Sequence, residues 1–136
     1  MSAENNKAIL RRLFEDVWNK HDLGAAKEIV SEGYRSSDSS ISFKGAAGTK
    51  ALGMEMANLD SEFSELHFEV EEIFSEKDLV IVILNASGTS KSETFINRAG
   101  GETPKKLLAK CVSVNRVVDG KIVASEFYWP PRRLFP

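Results

Sequence analysis

The sequence predicts an α+β domain in which a curved, cone-shaped antiparallel or mixed sheet wraps around N-terminal helices. Two features of the hydrophobic pattern predict it. In the first half of the chain, apolar residues recur at three- and four-residue spacing, as in amphipathic helices. From Leu66 onward they alternate with polar residues, as in strands with one solvated face. Long strands beside an amphipathic helix tend to curl around it, which leaves an apolar pocket between sheet and helices.

The helices come first along the chain. Ile9, Leu13 and Val17 mark the apolar face of the first one. Asp22 is a suitable N-cap for the second helix, and Gly33 is expected to end it. Three helices are therefore predicted, over residues 4–20, 23–31 and 49–63.

Strands fill the remainder of the chain. Turn signals at residues 76–78 and 119–120 separate antiparallel neighbours, and Pro130 and Pro131 stop the last strand. Residues 90–106 are the least regular segment, predicted as a strand end and a loop around residues 99–101. Strands are predicted over residues 34–43, 66–75, 79–89, 107–118 and 121–129.

The composition is that of a single globular domain spanning residues 1–136, with 42% hydrophobic and 28% charged residues. The net charge of −2, without a basic block, argues against nucleic acid as a partner. No apolar run approaches the roughly 20 residues of a membrane span. Because the single Cys111 cannot form an internal disulfide and the first residues lack a signal-peptide core, we expect a cytoplasmic location.

Metal and cofactor motifs are not apparent. His21 and His67 are the two histidines, and their distance in sequence argues against a metal site or a Ser/His/Asp triad. The glycines within residues 45–48 lack the spacing of a phosphate-binding loop. We therefore expect neither a metal nor a cofactor.

Three stretches carry a family resemblance: LFEDVWNKHDL at residues 13–23, VEEIFSEKDLV at residues 70–80 and VNRVVDGKIV at residues 114–123. In order and spacing they are similar to the SnoaL-like polyketide cyclases, a branch of the nuclear-transport-factor-2-like superfamily. The resemblance implies a conical α+β barrel that often dimerises through its outer sheet face. Members include polyketide cyclases acting by aldol chemistry, isomerases and hydroxylase-like proteins, so the fold does not fix the reaction.

The positions that carry chemistry in many family members differ in this chain. In the last strand, the usual pocket-facing His and Asp are replaced by Ser125 and Phe127. After the second helix, the usual His is Ser37, whereas the neighbouring acid, Asp38, is kept. At the end of the long strand, a third His is replaced by Ser90.

Asp38, Tyr34 and Lys110 are candidate catalytic residues. In an apolar pocket the pKa of Asp38 would rise, which suits a general acid or base; the alternative is a solvated residue in the serine-rich segment 36–40. The Tyr34 hydroxyl would donate to a substrate oxygen. Lys110 would stabilise an anionic oxygen if it faced inward, or pair with Glu69 or Glu71 if it faced outward.

The last strand offers two alternative faces. Ser125, Phe127 and Trp129 share one face, and the family register points it inward. Glu126 and Tyr128 share the other, which a bulge or register change would turn inward as a catalytic acid–base pair. Strand alternation favours the first arrangement, with Glu126 on a dimer face.

The pocket wall is predicted to consist mainly of large apolar side chains. Such residues are more often part of a core, but a cone of this size is not expected to fill completely. The substrate-binding candidates are Trp18, Met56, Phe68, Ser125, Phe127, Tyr128 and Trp129.

The leading functional hypothesis is a cofactor-free enzyme that cyclises or isomerises a small hydrophobic, polyketide- or terpenoid-like metabolite by acid–base chemistry. Binding that folds a flexible substrate supplies proximity even with little catalytic machinery. The alternative is a non-catalytic ligand-binding or accessory dimer domain, which the replaced His and Asp positions favour. The apolar outer sheet face predicts a homodimer.

Overall fold

The structure is a computed structural model that describes residues 2–38, 41–42, 48–96 and 98–130, without the side chains of residues 37, 38, 41, 42 and 95. Its helices are α1 (Ala3–Arg12), α2 (Leu23–Ile29) and α3 (Gly48–Glu62), and α1 continues as a π-helical segment over Leu13–Trp18. Its strands are β1 (Val30–Asp38), β2 (Ile41–Ser42), β3 (Phe63–Glu76), β4 (Leu79–Ile96), β5 (Glu102–Val118) and β6 (Lys121–Tyr128).

Side-chain caps start the first two helices. The Ser2 hydroxyl accepts from the Asn5 amide at 3.1 Å, and Asp22 accepts from the Ala25 amide at 3.0 Å. Each bond satisfies a backbone donor that has no partner within its own helix. The prediction that Asp22 caps the second helix is therefore confirmed.

The sheet is mixed and runs in the order β2-β1-β6-β5-β4-β3. The pairs β3–β4, β4–β5 and β5–β6 are antiparallel, whereas β1 lies parallel to β6. The pairing of β3 with β4 shifts register after Ser64 and again after Val70. Such irregularities bend a strand, which helps the long strands to curve around the helices.

The core lies between the helices and the concave face of this sheet. Its helical part includes Leu10, Phe14 and Leu52, and its sheet part includes Phe68 and Leu84, all at most 1% exposed. The α+β class and the curved sheet around N-terminal helices are thus confirmed. Among the helices of the described residues, none has the length and apolar character needed to cross a membrane.

The largest differences from the predicted boundaries lie at the end of α2 and in the segment 90–106. Helix α2 ends at Ile29 rather than at Gly33, because Val30 already pairs with Ile122 in the sheet and Gly33 lies within β1. The segment 90–106 is mostly strand: β4 continues to Ile96 and β5 begins at Glu102. Thr94 to Ile96 pair with residues 102–104, so cross-strand bonding orders a stretch whose local pattern was irregular.

Candidate functional site

A row of polar side chains crosses the inner face of the otherwise apolar sheet. Ser36 of β1 is the register partner of Ser125 of β6, and Ser125 is the partner of Asn115 of β5. All three residues are buried. Because buried polar groups need hydrogen-bond partners, we expect these side chains to form a connected hydrogen-bond network.

Asn115 anchors one end of the network. Its Nδ2 donates to the Val80 carbonyl at 3.2 Å. Its Oδ1 accepts from the Ser125 hydroxyl at 2.5 Å and from the Ser113 hydroxyl at 3.2 Å. Asn115 is 0% exposed, so this end of the row has no direct contact with solvent.

Tyr34 lies at the middle of the network, where the Ser125 and Ser36 hydroxyls are its hydrogen-bond partners. Burial, together with the nearby Glu55 carboxyl, raises the pKa of Tyr34 well above its usual 10.0, and the two serine hydroxyls only partly oppose this. The phenol therefore stays protonated at neutral pH. Among the predicted catalytic residues whose side chains the structure describes, Tyr34 is the one that lies in this network.

Glu55 of helix α3 closes the other end, where it accepts a short hydrogen bond from the Ser36 hydroxyl. It is 4% exposed, and it is the only Asp, Glu, Lys or Arg that is buried among the described side chains. Glu55 is not among the site residues predicted from the sequence. A signal was present, because Glu55 lies three residues after Leu52 and four before Leu59, on the apolar stripe of the helix.

The predicted substrate-binding aromatics form one packed cluster beside this network. The Phe68 ring lies 5.3 Å from Trp18, 5.6 Å from Phe127 and 6.4 Å from Trp129, measured between ring centroids. Phe14 completes the cluster at 5.7 Å from Phe68. Around Phe68, side chains in edge-to-face and tilted contacts fill the space in which a cavity was expected.

The remaining apolar candidate, Met56, follows Glu55 in helix α3 and is also buried, at 4% exposed. Ser125 and Phe127 of β6, and Trp129 directly after it, are buried as strand alternation predicts. The inner wall near the polar row is therefore apolar apart from the network itself.

Glu126, Tyr128 and Lys110 lie on the outer face and not in the network. The Tyr128 hydroxyl donates to the Glu126 carboxylate, and this bond raises the pKa of Tyr128. Tyr128 is 44% exposed. Lys110 pairs with Glu71 at 3.1 Å, which is the outward arrangement considered from the sequence. The register between β5 and β6 is regular from Ala124 to Tyr128. The alternation of side chains along β6 therefore keeps Glu126 and Tyr128 on the outer face.

Asp38, the leading acid predicted from sequence, is the register partner of Phe127 at the end of β1. Its side chain lies outside the described residues. Its backbone position is two residues beyond Ser36, so the strand that carries the polar row also carries Asp38.

The histidines lie far from the network. His21 approaches Asp60 at 3.0 Å on the surface, and His67 is exposed. Within the described ranges, no three Asp, Glu, His or Cys side chains converge as metal ligands. Cys111 is buried in the sheet, where its Sγ lies 3.9 Å from the Ala109 carbonyl oxygen. The described network itself offers a buried carboxyl coupled to a phenol through Ser36, an arrangement that can transfer a proton.

Comparison with solved structures shows the same fold. A candidate SnoaL-like polyketide cyclase from Jannaschia sp. CCS1 is 20% identical, with a TM-score of 0.75 over 93% of this chain and 86% of that one. AclR, a candidate hydroxylase from Streptomyces galilaeus, is 22% identical, with a TM-score of 0.72 over 96% and 92%. A protein with a ketosteroid isomerase-like fold from Catenulispora acidiphila is 14% identical, with a TM-score of 0.72 over 90% of this chain and 85% of that one.

Sequence comparison with family models gives a match over residues 8–129, to the family described as SnoaL-like polyketide cyclase. The comparison with curated proteins finds no match. The matched segment includes Tyr34, Glu55, Asn115 and Ser125, so the polar network lies within the family domain. By this match over nearly its whole length, the chain belongs to the SnoaL-like polyketide cyclase family.

Proposed function

We propose that this protein is a cofactor-free enzyme that cyclises or isomerises a small hydrophobic metabolite, of polyketide or terpenoid type, by proton transfer at Glu55. Membership of a family of polyketide cyclases supports a role in converting small molecules. The observation that carries the finer proposal is the buried Glu55 carboxyl, which Ser36 connects to the buried phenol of Tyr34.

The two ends of the polar row differ in their access to solvent. Ser36 is 8% exposed, whereas Asn115 is 0% exposed. A substrate therefore approaches from the Glu55–Ser36 end, where the carboxyl takes up or delivers a proton. The neutral Tyr34 phenol lies behind the Glu55 carboxyl and holds the Ser36 hydroxyl in place. Fixed hydrogen-bond donors in a site without water stabilise developing charge strongly.

Apolar side chains beside Glu55 suit a hydrophobic substrate. Met56, Phe127 and Trp129 are buried close to the polar row. Trp129 keeps 8% of its surface exposed, more than any other member of the aromatic cluster. A hydrophobic substrate that displaces or stacks on this ring would present its reacting carbon to Glu55.

The proposal is tested by proton exchange, which does not require the natural substrate. An apolar enolisable ketone such as 2-tetralone is incubated with the protein in D₂O, and loss of its α-proton signal is followed by NMR. We expect Glu55→Gln to slow the enzyme-catalysed exchange by about 10²-fold or more, the usual range for a general acid or base. Glu126→Gln is the matched control, because it removes an exposed carboxylate from the same protein.

Two results would contradict the proposal. One is exchange by the wild type that Glu55→Gln leaves unchanged. The other is absence of catalysed exchange across a panel of apolar ketones that the protein demonstrably binds. The second result supports the alternative, a ligand-binding domain without turnover. That alternative is favoured by Ser125 and Phe127, which occupy the family's usual His and Asp positions.

We also propose that the protein is a homodimer that works in the cytoplasm. The outer sheet face supports the dimer, because Phe74 and Tyr128 are 52% and 44% exposed there. Half-buried Ile81, Ile83 and Val112 lie between them. The single cysteine supports a reducing compartment, since it cannot form an internal disulfide.

A further inference from the structure

The centre of the outer sheet face is a small apolar block. Ile81 and Ile83 of β4 are the register partners of Val114 and Val112 of β5, and all four residues are half-buried. Register partners stand side by side on the same face of a sheet, so the apolar block consists of two rows of two residues. Apolar side chains that are left partly open to water in one patch mark a contact surface.

The charged residues around the apolar block are sorted by strand. Between residues 69 and 76 of β3 they are acids, namely Glu69, Glu71, Glu72 and Glu76, all exposed. On the outer face of β5 the cations Lys110 and Arg116 are exposed. Across β4, Lys110 lies in the row of Glu69. Arg116 lies in the row of Glu76, so each end of the apolar block is flanked by one acid and one cation on different strands.

Two copies can stack this face on itself in two aligned ways, because stacked sheets keep their strand directions within about 30°. The twofold axis runs either along the strands or across them, and either axis can bury the apolar block on itself. An axis along the strands sets β4 over β5 of the second copy, with the rows unchanged. An axis across the strands sets each strand over its own copy, with the rows exchanged.

The two axes differ in the charges that they bring together. An axis across the strands sets Glu76 over Glu69 of the second copy and Arg116 over Lys110 of the second copy. The symmetry repeats both contacts, and like charges that meet in an interface weaken association. An axis along the strands instead sets Arg116 diagonally beside Glu76 of the second copy. Lys110 then lies beside Glu69 of that copy, and long side chains reach across such diagonals.

We propose that two copies of the chain associate through the outer sheet face about a twofold axis that runs along β4 and β5. The apolar block then covers that of the second copy row by row, and each cation lies beside an acid of the second copy. Phe74, in the row of Ile81, lies over Glu126 of the second copy. This inference rests on the proposed homodimer, and it fixes which residues meet across it.

The arrangement is tested by cysteine crosslinking of full-length chains. Phe74→Cys and Glu126→Cys are co-expressed with different affinity tags, and the mixed dimers are isolated and treated with a short bis-maleimide. We expect a covalent dimer, because residues 74 and 126 face each other. Phe74→Cys co-expressed with Glu72→Cys is the matched control, since these residues meet only about an axis across the strands. The wild type measures the background, because its single cysteine, Cys111, is buried.

A charge reversal gives a second readout, whose sign differs between the two axes. Arg116→Glu places an acid beside Glu76 of the second copy, so the Kd of the dimer should rise about tenfold at low salt. About an axis across the strands, the new acid would face Lys110 of the second copy, and the Kd would fall. Arg116→Gln is the control, because it removes the ion pair with Asp78 without adding an acid. Sedimentation equilibrium measures the Kd.

Three results overturn the inference and leave the homodimer standing: a crosslink between residues 74 and 72, a wild-type dimer with neither crosslink, and a lower Kd in Arg116→Glu than in Arg116→Gln. A crosslink between residues 74 and 126 together with a raised Kd supports it. A monomeric wild type in light scattering would refute the homodimer, and the inference with it.

Discussion

Asn19 binds the backbone of Phe68 at two points. Its Nδ2 donates to the Phe68 carbonyl at 2.8 Å, and its Oδ1 accepts from the Phe68 amide, also at 2.8 Å. The side-chain amide thus imitates a neighbouring strand along the edge of β3. Because the Phe68 ring is the centre of the aromatic cluster, this clamp connects the end of the first helical segment to the position of the apolar wall.

We expect Asn19→Ala to destabilise the protein by about 1–3 kcal/mol, because two partly buried hydrogen bonds are lost. The measurement is urea-induced unfolding followed by tryptophan fluorescence. Asn5→Ala is the control, since Asn5 is exposed in the first turn of α1. A loss in Asn19→Ala no larger than in Asn5→Ala would show that the clamp contributes nothing to stability.

The packed aromatic cluster predicts a large effect for Phe68→Ala. Phe68 is 1% exposed and contacts four other rings. Truncation of a buried aromatic side chain leaves a cavity and typically costs about 3–5 kcal/mol. Calorimetric or urea unfolding measures it, with Ile96→Ala as control because Ile96 is 73% exposed. A loss of similar size in the two variants would argue that the cluster is loosely packed.

Strand alternation made the sheet the most predictable part of the chain. The two-residue alternation of a strand alone assigns Ser125, Phe127 and Trp129 to one face, and the three residues are buried together. Helix ends and irregular segments were less predictable. Glycine at position 33 suggested a helix end, but the local signal is weaker than the pairing of Val30 with Ile122. The wider π-helical turn at Leu13–Trp18 leaves the apolar spacing nearly unchanged, so the pattern did not reveal it.

The candidate site was only partly predictable, because it depends on contacts between distant elements. Tyr34 was identified as a polar tip beside the core, whereas Glu55 was overlooked on the apolar stripe of α3. Ser36 and Glu55 are 19 positions apart in the sequence, and no local spacing relates them. A charged residue at an apolar helical position, and Asn115 at an inward strand position, were the available signals.

The outer sheet face predicts how the proposed dimer can be disrupted. Tyr128 and Val112 are register partners there, and Tyr128 is exposed. We expect Tyr128→Arg to convert a dimer to a monomer, because a charge in an apolar interface loses hydration without a partner. Light scattering coupled to size exclusion measures the mass. Leu23→Arg, which changes an exposed apolar residue of α2, should leave the dimer intact. A monomeric wild type would refute the dimer itself.

Tyr34 predicts a specific loss of stability at high pH. Its pKa is raised in the folded protein, chiefly by burial, above the usual 10.0. Its contribution to stability is therefore fully present below the unfolded pKa of about 10 and decreases as the pH rises toward the folded value. We expect the wild type to lose stability above this pH and Tyr34→Phe to lack that component, whatever its stability at neutral pH.

Urea unfolding at a series of pH values between about 8 and about 11 measures this difference around the usual tyrosine pKa. Tyr128→Phe is the control, because it removes the exposed phenol and leaves Tyr34 in place. With only two tyrosines in the chain, phenolate absorbance gives a second readout. The folded protein should show Tyr128 titrating while Tyr34 ionises only on unfolding. Ionisation of both tyrosines in the folded state near pH 10 would mean that the Tyr34 hydroxyl, and with it the network, is open to water.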